Sequence, residues 1–101
     1  MIARVWRGWT AREDADAYLD YLDKTGMRES RALPGNRGAM IMRRDDGART
    51  EFQTVILWDG LDSIRAFAGN DLERAVFFPE DDRFLVARDE HVVHYEVARP
   101  L

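Results

Sequence analysis

IARVWRGW (residues 2–9), AMIMR (39–43), FQTVILW (52–58) and VVHYEV (92–97) are short runs with apolar side chains at both odd and even positions. A strand sends successive side chains to opposite faces, so apolar residues at both parities require both faces to leave water. Helices lying between such strands in the chain cover only one face. The other needs a partner, and a second copy of the same chain is the simplest one.

The 101 residues (1–101) read as one domain. With no cysteine, neither disulfides nor a thiolate metal site is available, which suits a reducing cytoplasm. Hydrophobic residues make up 46% of the chain and eleven are aromatic, a composition that excludes disorder. The opening MIARVWRGWT carries Arg4 and Arg7 inside its apolar stretch, unlike a signal peptide. The longest apolar run, Val55–Trp58, is far too short to span a bilayer. Net charge is −4, and the basic residues, of which Lys24 is the only lysine, are interspersed with acids. No basic face for nucleic acid is visible. The arginines are expected in surface pairs, with room for one buried anchor.

Thr10-Ala11-Arg12-Glu13 fits a capping box, and Ala11, Ala15, Tyr18, Leu19 and Leu22 follow at helical spacing. A first helix is therefore expected, ending in a left-handed cap at Gly26. Residues 27–36 form a connector. Strands over 38–44 and 49–58 meet at an Asp46-Gly47 hairpin turn. A second helix starts at Asp62 or Ser63 and stops at Gly69. Asn70-Asp71-Leu72-Glu73 offers a further cap, with Leu72, Ala75 and Val76 behind it. Pro79 opens a turn whose Glu80, Asp81 and Asp82 favour the start of a short helix with Phe84 and Leu85 as its anchors. A last strand spans about 90–97. The order β-α-β-β-α-β predicts an α+β fold of ferredoxin-like type: an antiparallel sheet with the first strand central and the helices on one face.

Three stretches in this order, IARVWRGWT (2–10), TVILWDGLDSIRAFAGNDLERAV (54–76) and HVVHYEV (91–97), resemble the antibiotic biosynthesis monooxygenase family. The likeness covers nearly the whole chain. It implies a homodimer, a dimeric α+β barrel, with a pocket in each subunit between sheet and helices. Relatives of this kind include oxygenases that act on aromatic polyketides without metal or flavin, and haem degraders. The haem-degrading branch places an asparagine on the first strand, a tryptophan in the second helix region and a histidine after it. The matching neighbourhoods here hold Val5 to Arg7, Phe67 and Val76, so haem is not expected, and no cofactor is.

His94 is the leading candidate for chemistry, because an imidazole can remove a phenolic or enolic proton near neutral pH. Glu96 shares its face. The alternative is a hydrogen-bonded histidine in the dimer interface. His91 lies an odd number of residues away, on the other face, so the two histidines do not form a metal pair, and no carboxylate cluster supplies a metal site. Trp6, Arg7 and Trp9 form a second group, since an arginine beside an indole can hold an oxygen of a flat ligand while the ring stacks on it. Core packing is the alternative for Trp6, Trp9 and Trp58. Parity alone does not say which face the helices cover. Apolarity favours Ala3, Val5, Val93, Tyr95 and Val97, which brings Arg7, Trp9 and Tyr95 to the helices, near Tyr18 and Phe67. Arg4, Trp6, His94 and Glu96 then face the partner. Leu22, Phe77 and Phe78 can also line a pocket.

The functional expectation is a cofactor-independent monooxygenase acting on a small hydrophobic aromatic or quinol-like substrate. His94 and Arg7 would be its catalytic residues, with Trp6, Trp9, Tyr18, Phe67 and Tyr95 holding the substrate. The alternative is a non-catalytic homodimeric module of the same fold that binds a small ligand or another protein.

Overall fold

A computed structural model describes residues 1–101. Three long strands, β1 (Ile2–Ala11), β2 (Asn36–Asp46) and β3 (Arg49–Trp58), are followed by two short ones, β4 (Leu85–Arg88) and β5 (Val93–Glu96). All pairings are antiparallel. β1 is central, as the sequence predicts, and lies between β3 and the β4/β5 pair, with β2 outside β3; the additional strand β4 is not expected from the sequence. β4 pairs with Gly8–Thr10 and β5 with Ile2–Val5, so the two short strands share one edge of β1. Gly47 turns the β2–β3 hairpin at φ 63°, a left-handed conformation that glycine adopts without strain.

Helices α1 (Ala15–Leu22), α2 (Arg28–Arg31), α3 (Leu61–Ala68) and α4 (Asp81–Phe84) pack on one face. Ala15, Tyr18 and Leu22 form the buried stripe of α1. The ring of Tyr18 meets Phe52 edge-on, centroids 5.1 Å apart. α3 contributes fully buried Ile64 and ends at Gly69, φ 80°. No helix is long and apolar enough to cross a membrane.

Four local expectations are corrected. The capping box does not form: Thr10 belongs to β1, is fully buried, and donates its hydroxyl to the carbonyl of Ala11. A 3-10 turn, Arg12–Asp14, leads into α1 instead. The first helix does not stop at Gly26. It loosens into a π-type turn over Asp23–Met27, kinked at Thr25, whose hydroxyl donates to the Tyr21 carbonyl at 2.7 Å, and resumes as α2. Residues 70–76 form no helix. They belong to an irregular strap, 69–80, tied to the start of the last strand by Val92 N–H to Glu73 O (2.7 Å) and Ala75 N–H to Glu90 O (3.0 Å). Finally, Leu85 opens a strand rather than ending a helix.

The largest correction concerns the faces of the sheet. The even positions of β1, Arg4, Trp6, Gly8 and Thr10, turn towards the helices, beside Ile56, Thr54, Phe52 and Thr50 of β3. Arg7, Trp9 and Tyr95 lie on the opposite face, and Tyr95 is 58% exposed. Arginine is tolerated inside because the strap, lacking helical hydrogen bonds of its own, offers it free carbonyls. Trp6 is held in the same way: its indole N–H donates to Asp89 O at 2.8 Å. Its ring lies across Gly8, where a Cβ would collide with it.

Candidate functional site: a cavity beneath the strap

A cavity of about 60 Å³ lies between the covered sheet face and the layer formed by α1, the Asp23–Met27 turn and the strap. Trp6 and Ile56 form its floor, Leu22, Met27 and Phe67 its sides, and Val76, Phe77 and Phe78 its cover. The turn approaches the cover closely. A Cβ on Gly26 would come within 3.1 Å of the Phe78 ring. Polar groups enter only at defined points of this apolar lining, the pattern of a small-ligand site.

One polar point is Asp81 with Tyr18, both buried. The Tyr18 hydroxyl donates to Oδ1 of Asp81 at 3.3 Å, and the Phe78 N–H donates to Oδ2 at 2.6 Å. Burial pushes the Asp81 carboxyl above the usual carboxylate range. The Phe78 N–H, the Tyr18 hydroxyl and the charge of Arg88 oppose the rise without cancelling it. Burial, reinforced by the Asp81 charge, also raises the Tyr18 phenol strongly, so Tyr18 remains a donor. A carboxylate whose affinity for a proton has been raised in this way is a better base towards a bound acid.

The second point is Arg4, only 3% exposed. Its Nη1 donates to Leu72 O at 2.5 Å, and Nη2 donates to Arg74 O at 2.8 Å. Nη1 also lies 3.0 Å from Nε2 of His94. A guanidinium only donates, so Nε2 is the acceptor and the His94 proton sits on Nδ1. Burial lowers the Arg4 pKa to about 10. His94 is lowered too, first by burial and then by the Arg4 charge, with Glu73 acting in the opposite sense.

Among the residues singled out in the sequence, Trp6, Tyr18 and Phe67 line the cavity together. His94 does not line it. It stands behind Arg4, with its acceptor nitrogen occupied, and reaches the cavity through that residue. Arg7, Trp9 and Tyr95 are not brought to the cavity. Arg7 pairs with Asp89 at 3.0 Å and lies over Trp9, which Arg49 also contacts. Two polar residues of the cavity lining escape the sequence reading. Asp81 was hidden among Glu80 and Asp82, a run that reads as a helix start. Arg4 was assigned to the wrong face. The available signal was an arginine at the same parity as Trp6 on a central strand. No group of three or more histidine, cysteine or acidic residues is placed to hold a metal ion.

No protein-family model and no curated protein matches the sequence. Solved structures do match in shape. A proposed antibiotic biosynthesis monooxygenase from Bacillus cereus superposes with TM-score 0.68 at 10% identity, covering 99% of this chain and 93% of that one. The haem degrader MhuD of Mycobacterium tuberculosis, solved with two haems in its active site, gives 0.62 at 14% identity, covering 100% and 99%. Rv0793 of the same organism gives 0.62 at 16% identity, covering 98% and 96%. These likenesses show the fold: the chain has the ferredoxin-like α+β architecture of antibiotic biosynthesis monooxygenase structures.

Proposed function

We propose that this chain is an oxygenase that takes a small hydrophobic aromatic or quinol-like substrate into the cavity and needs no bound cofactor. The observation that carries this reading is the buried Asp81–Tyr18 pair opening into a predominantly apolar enclosure. Asp81 accepts a proton from an acidic C–H or O–H of the substrate. The resulting anion is electron-rich enough to reduce dioxygen itself. For a methylene flanked by aromatic rings, one oxygen atom becomes the ketone and the other leaves as water, so four electrons pass from substrate to oxygen and no outside reductant is required. Tyr18 holds the carboxylate in place, and Trp6 and Phe67 flank the ring.

A cavity of about 60 Å³ is smaller than the ~150 Å³ that holds a benzene, so a substrate ring enters as the Phe77 and Phe78 side chains of the cover swing outward, while Leu72 and Arg74 stay on Arg4. Oxygen uptake by purified, metal-stripped protein with anthrone- and quinol-type compounds tests the proposal. Uptake is expected, with kcat lowered about 10²-fold or more in Asp81→Asn, the usual worth of a positioned base. No uptake across the panel overturns it.

One observation favours a non-catalytic ligand-binding module instead: Arg4 occupies the acceptor nitrogen of His94, so neither histidine is a free base in the cavity. Thermal stabilisation by the same compounds with no oxygen consumed selects that reading. Under both readings a second copy covers the open sheet face. Met40, Val55, Val5 and Val93 are register partners forming an apolar row across all four strand positions, and Leu57, Ala3 and Tyr95 form a second. Light scattering at micromolar concentration is expected to show a dimer, and a monomer overturns this part.

A further inference from the structure

The chain holds fourteen arginines. Ten of them pair with a carboxylate. Of the remaining four, Arg28, Arg74 and Arg99 are exposed to water. Arg4 is the exception: it is buried, it lines the cavity, and it has no carboxylate partner. Taking a cation out of water is costly unless a counter-charge accompanies it. Acidic residues are not scarce, with nineteen in the chain, yet none is placed against this guanidinium.

Its hydrogen bonds are incomplete in an informative way. A guanidinium has five N–H groups. Both hydrogens of Nη1 are accounted for by Leu72 O and His94 Nε2, and one of Nη2 by Arg74 O. The Nε–H and the second Nη2–H have no protein partner. They sit on neighbouring nitrogens of a planar group whose orientation is already fixed by three acceptors. Phe67, with its ring centroid 5.8 Å from Cζ, lies against the same guanidinium.

We propose that the cavity selects a planar aromatic carboxylate, its carboxylate received by the Nε–H and the free Nη2–H of Arg4 and its ring by Trp6 and Phe67. The proposal rests on the reading above that the cavity is a ligand site, and it specifies the charge and head group of the ligand. Two parallel N–H···O bonds to one carboxylate are the strongest recognition an arginine offers. The ligand also supplies the counter-charge that the chain omits. His94 is then a positioning residue: it orients Arg4 through Nε2 and does not touch the ligand.

Titration of the purified full-length protein with benzoate, and separately with benzamide, tests this by calorimetry. The amide has the same shape and no charge. Benzoate is expected to bind saturably and about tenfold or more tighter than benzamide, the usual margin for a charge-assisted two-point contact over a neutral one. The Nε–H resonance of Arg4 is expected to shift with the same saturation curve. Arg4→Lys retains the charge but loses the fork, and benzoate affinity is expected to fall about tenfold. Equal affinity for the two probes, absence of benzoate binding, or an unmoved Arg4 resonance would overturn the proposal. The benzoate–benzamide comparison and the Arg4 resonance both use the native chain, so they decide the matter even where Arg4→Lys fails to fold. Oxygen plays no part in them. A protein that binds benzoate selectively but oxidises no quinol leaves the anion site standing and removes the oxygenase. One that oxidises neutral quinols and prefers benzamide does the reverse.

Discussion

The two faces of this sheet invert the usual relation between polarity and burial. The covered face presents Arg4, Thr10, Thr50 and Thr54 among its aromatics, all at most 6% exposed. The open face presents Met40, Val93 and Tyr95, all at least half exposed. What separates the two is the supply of partners, not the class of the side chains. The strap gives Arg4 its carbonyls, and Thr10 finds the Ala11 carbonyl and Thr50 the Asp45 carboxylate. A neutral polar group with its bonds made is inexpensive to bury, whereas Arg4 has three of its five N–H groups bonded and keeps its charge. An apolar row with nothing upon it is a surface awaiting a partner.

Truncation on the covered face is expected to give the largest effect. Phe52 is fully buried between Tyr18 and Gly8's side of the sheet, and Phe52→Ala is expected to cost about 3–5 kcal/mol of stability in denaturant melts. Val55, three residues on and on the other face, is expected to lose under about 1 kcal/mol when changed to Ser, provided the protein is held dilute enough to be monomeric. Similar losses at both positions would mean that the open face is covered by the chain itself. Next in size is the effect of charge in the open rows. Val5 pairs with both Val55 and Val93, so Val5→Lys places a cation at the centre of the patch. Self-association is expected to weaken about a hundredfold, roughly 2.7 kcal/mol, with an unchanged far-ultraviolet spectrum. An undiminished dimer would move the interface elsewhere.

This inversion also explains how far the sequence could be read. The positions of β1, β2, β3 and β5, the central place of β1, the Gly47 hairpin and the stop at Gly69 follow from alternation and turn residues, which act over a few positions; β4 does not, because Leu85 reads as a helix anchor. The face assignment depends on what covers the sheet, and residues 70–76 mislead on that point. Asn70 to Glu73 looks like a cap, but the strap it opens bonds instead to residues 90–92, a contact across the fold that local pattern does not contain. Apolarity alone turns Ala3 and Val5 inward and Arg4 outward, and with the strap read as a helix no acceptor for Arg4 is visible to counter it. His94 and Trp6 follow it by parity. Tyr18 and Phe67 survive because their positions depend only on helix periodicity. Asp81 is invisible for a different reason: its role comes from burial under Tyr18, and three successive acids give no sign of which one is enclosed.

A smaller effect is expected at Gly8, where the covered face is tightest. Gly8 is buried beneath the Trp6 ring, and a Cβ there would also come 3.1 Å from Leu85. Gly8→Ala must push the indole off its seat and weaken the bond to Asp89 O, so a loss of about 1–3 kcal/mol is expected in thermal or denaturant melts. Gly60 has nothing within 4 Å of its Cβ position and serves as the matched control, with a change of about 0.5 kcal/mol or less. Equal losses at the two glycines would show that the Trp6 ring is not fixed across Gly8.

The smallest expected effect, and the sharpest test of the inverted face, is a pH dependence. His94 has its pKa lowered in the folded chain, by burial first and by the Arg4 charge second, against a smaller upward pull from Glu73. Below about 6.5, the ordinary histidine value, the unfolded chain therefore binds a proton that the folded chain resists. Stability contributed by the neutral imidazole is present above that pH and declines as pH falls through the lowered folded value. Asp81 acts in the opposite sense. Its raised pKa means the folded chain binds a proton more readily than the unfolded one, so acid favours folding at that site. The two contributions overlap in a single pH profile and must be separated by a variant. His94→Gln keeps an acceptor for Arg4 and removes the titration. The difference in unfolding free energy between the native chain and this variant is expected to be flat above about pH 7 and to move against the native chain as pH drops towards 5. Asp81 is common to both proteins and cancels. A flat difference across the whole range would place the His94 ring in free water, away from Arg4, and would restore the outward face that apolarity alone suggests.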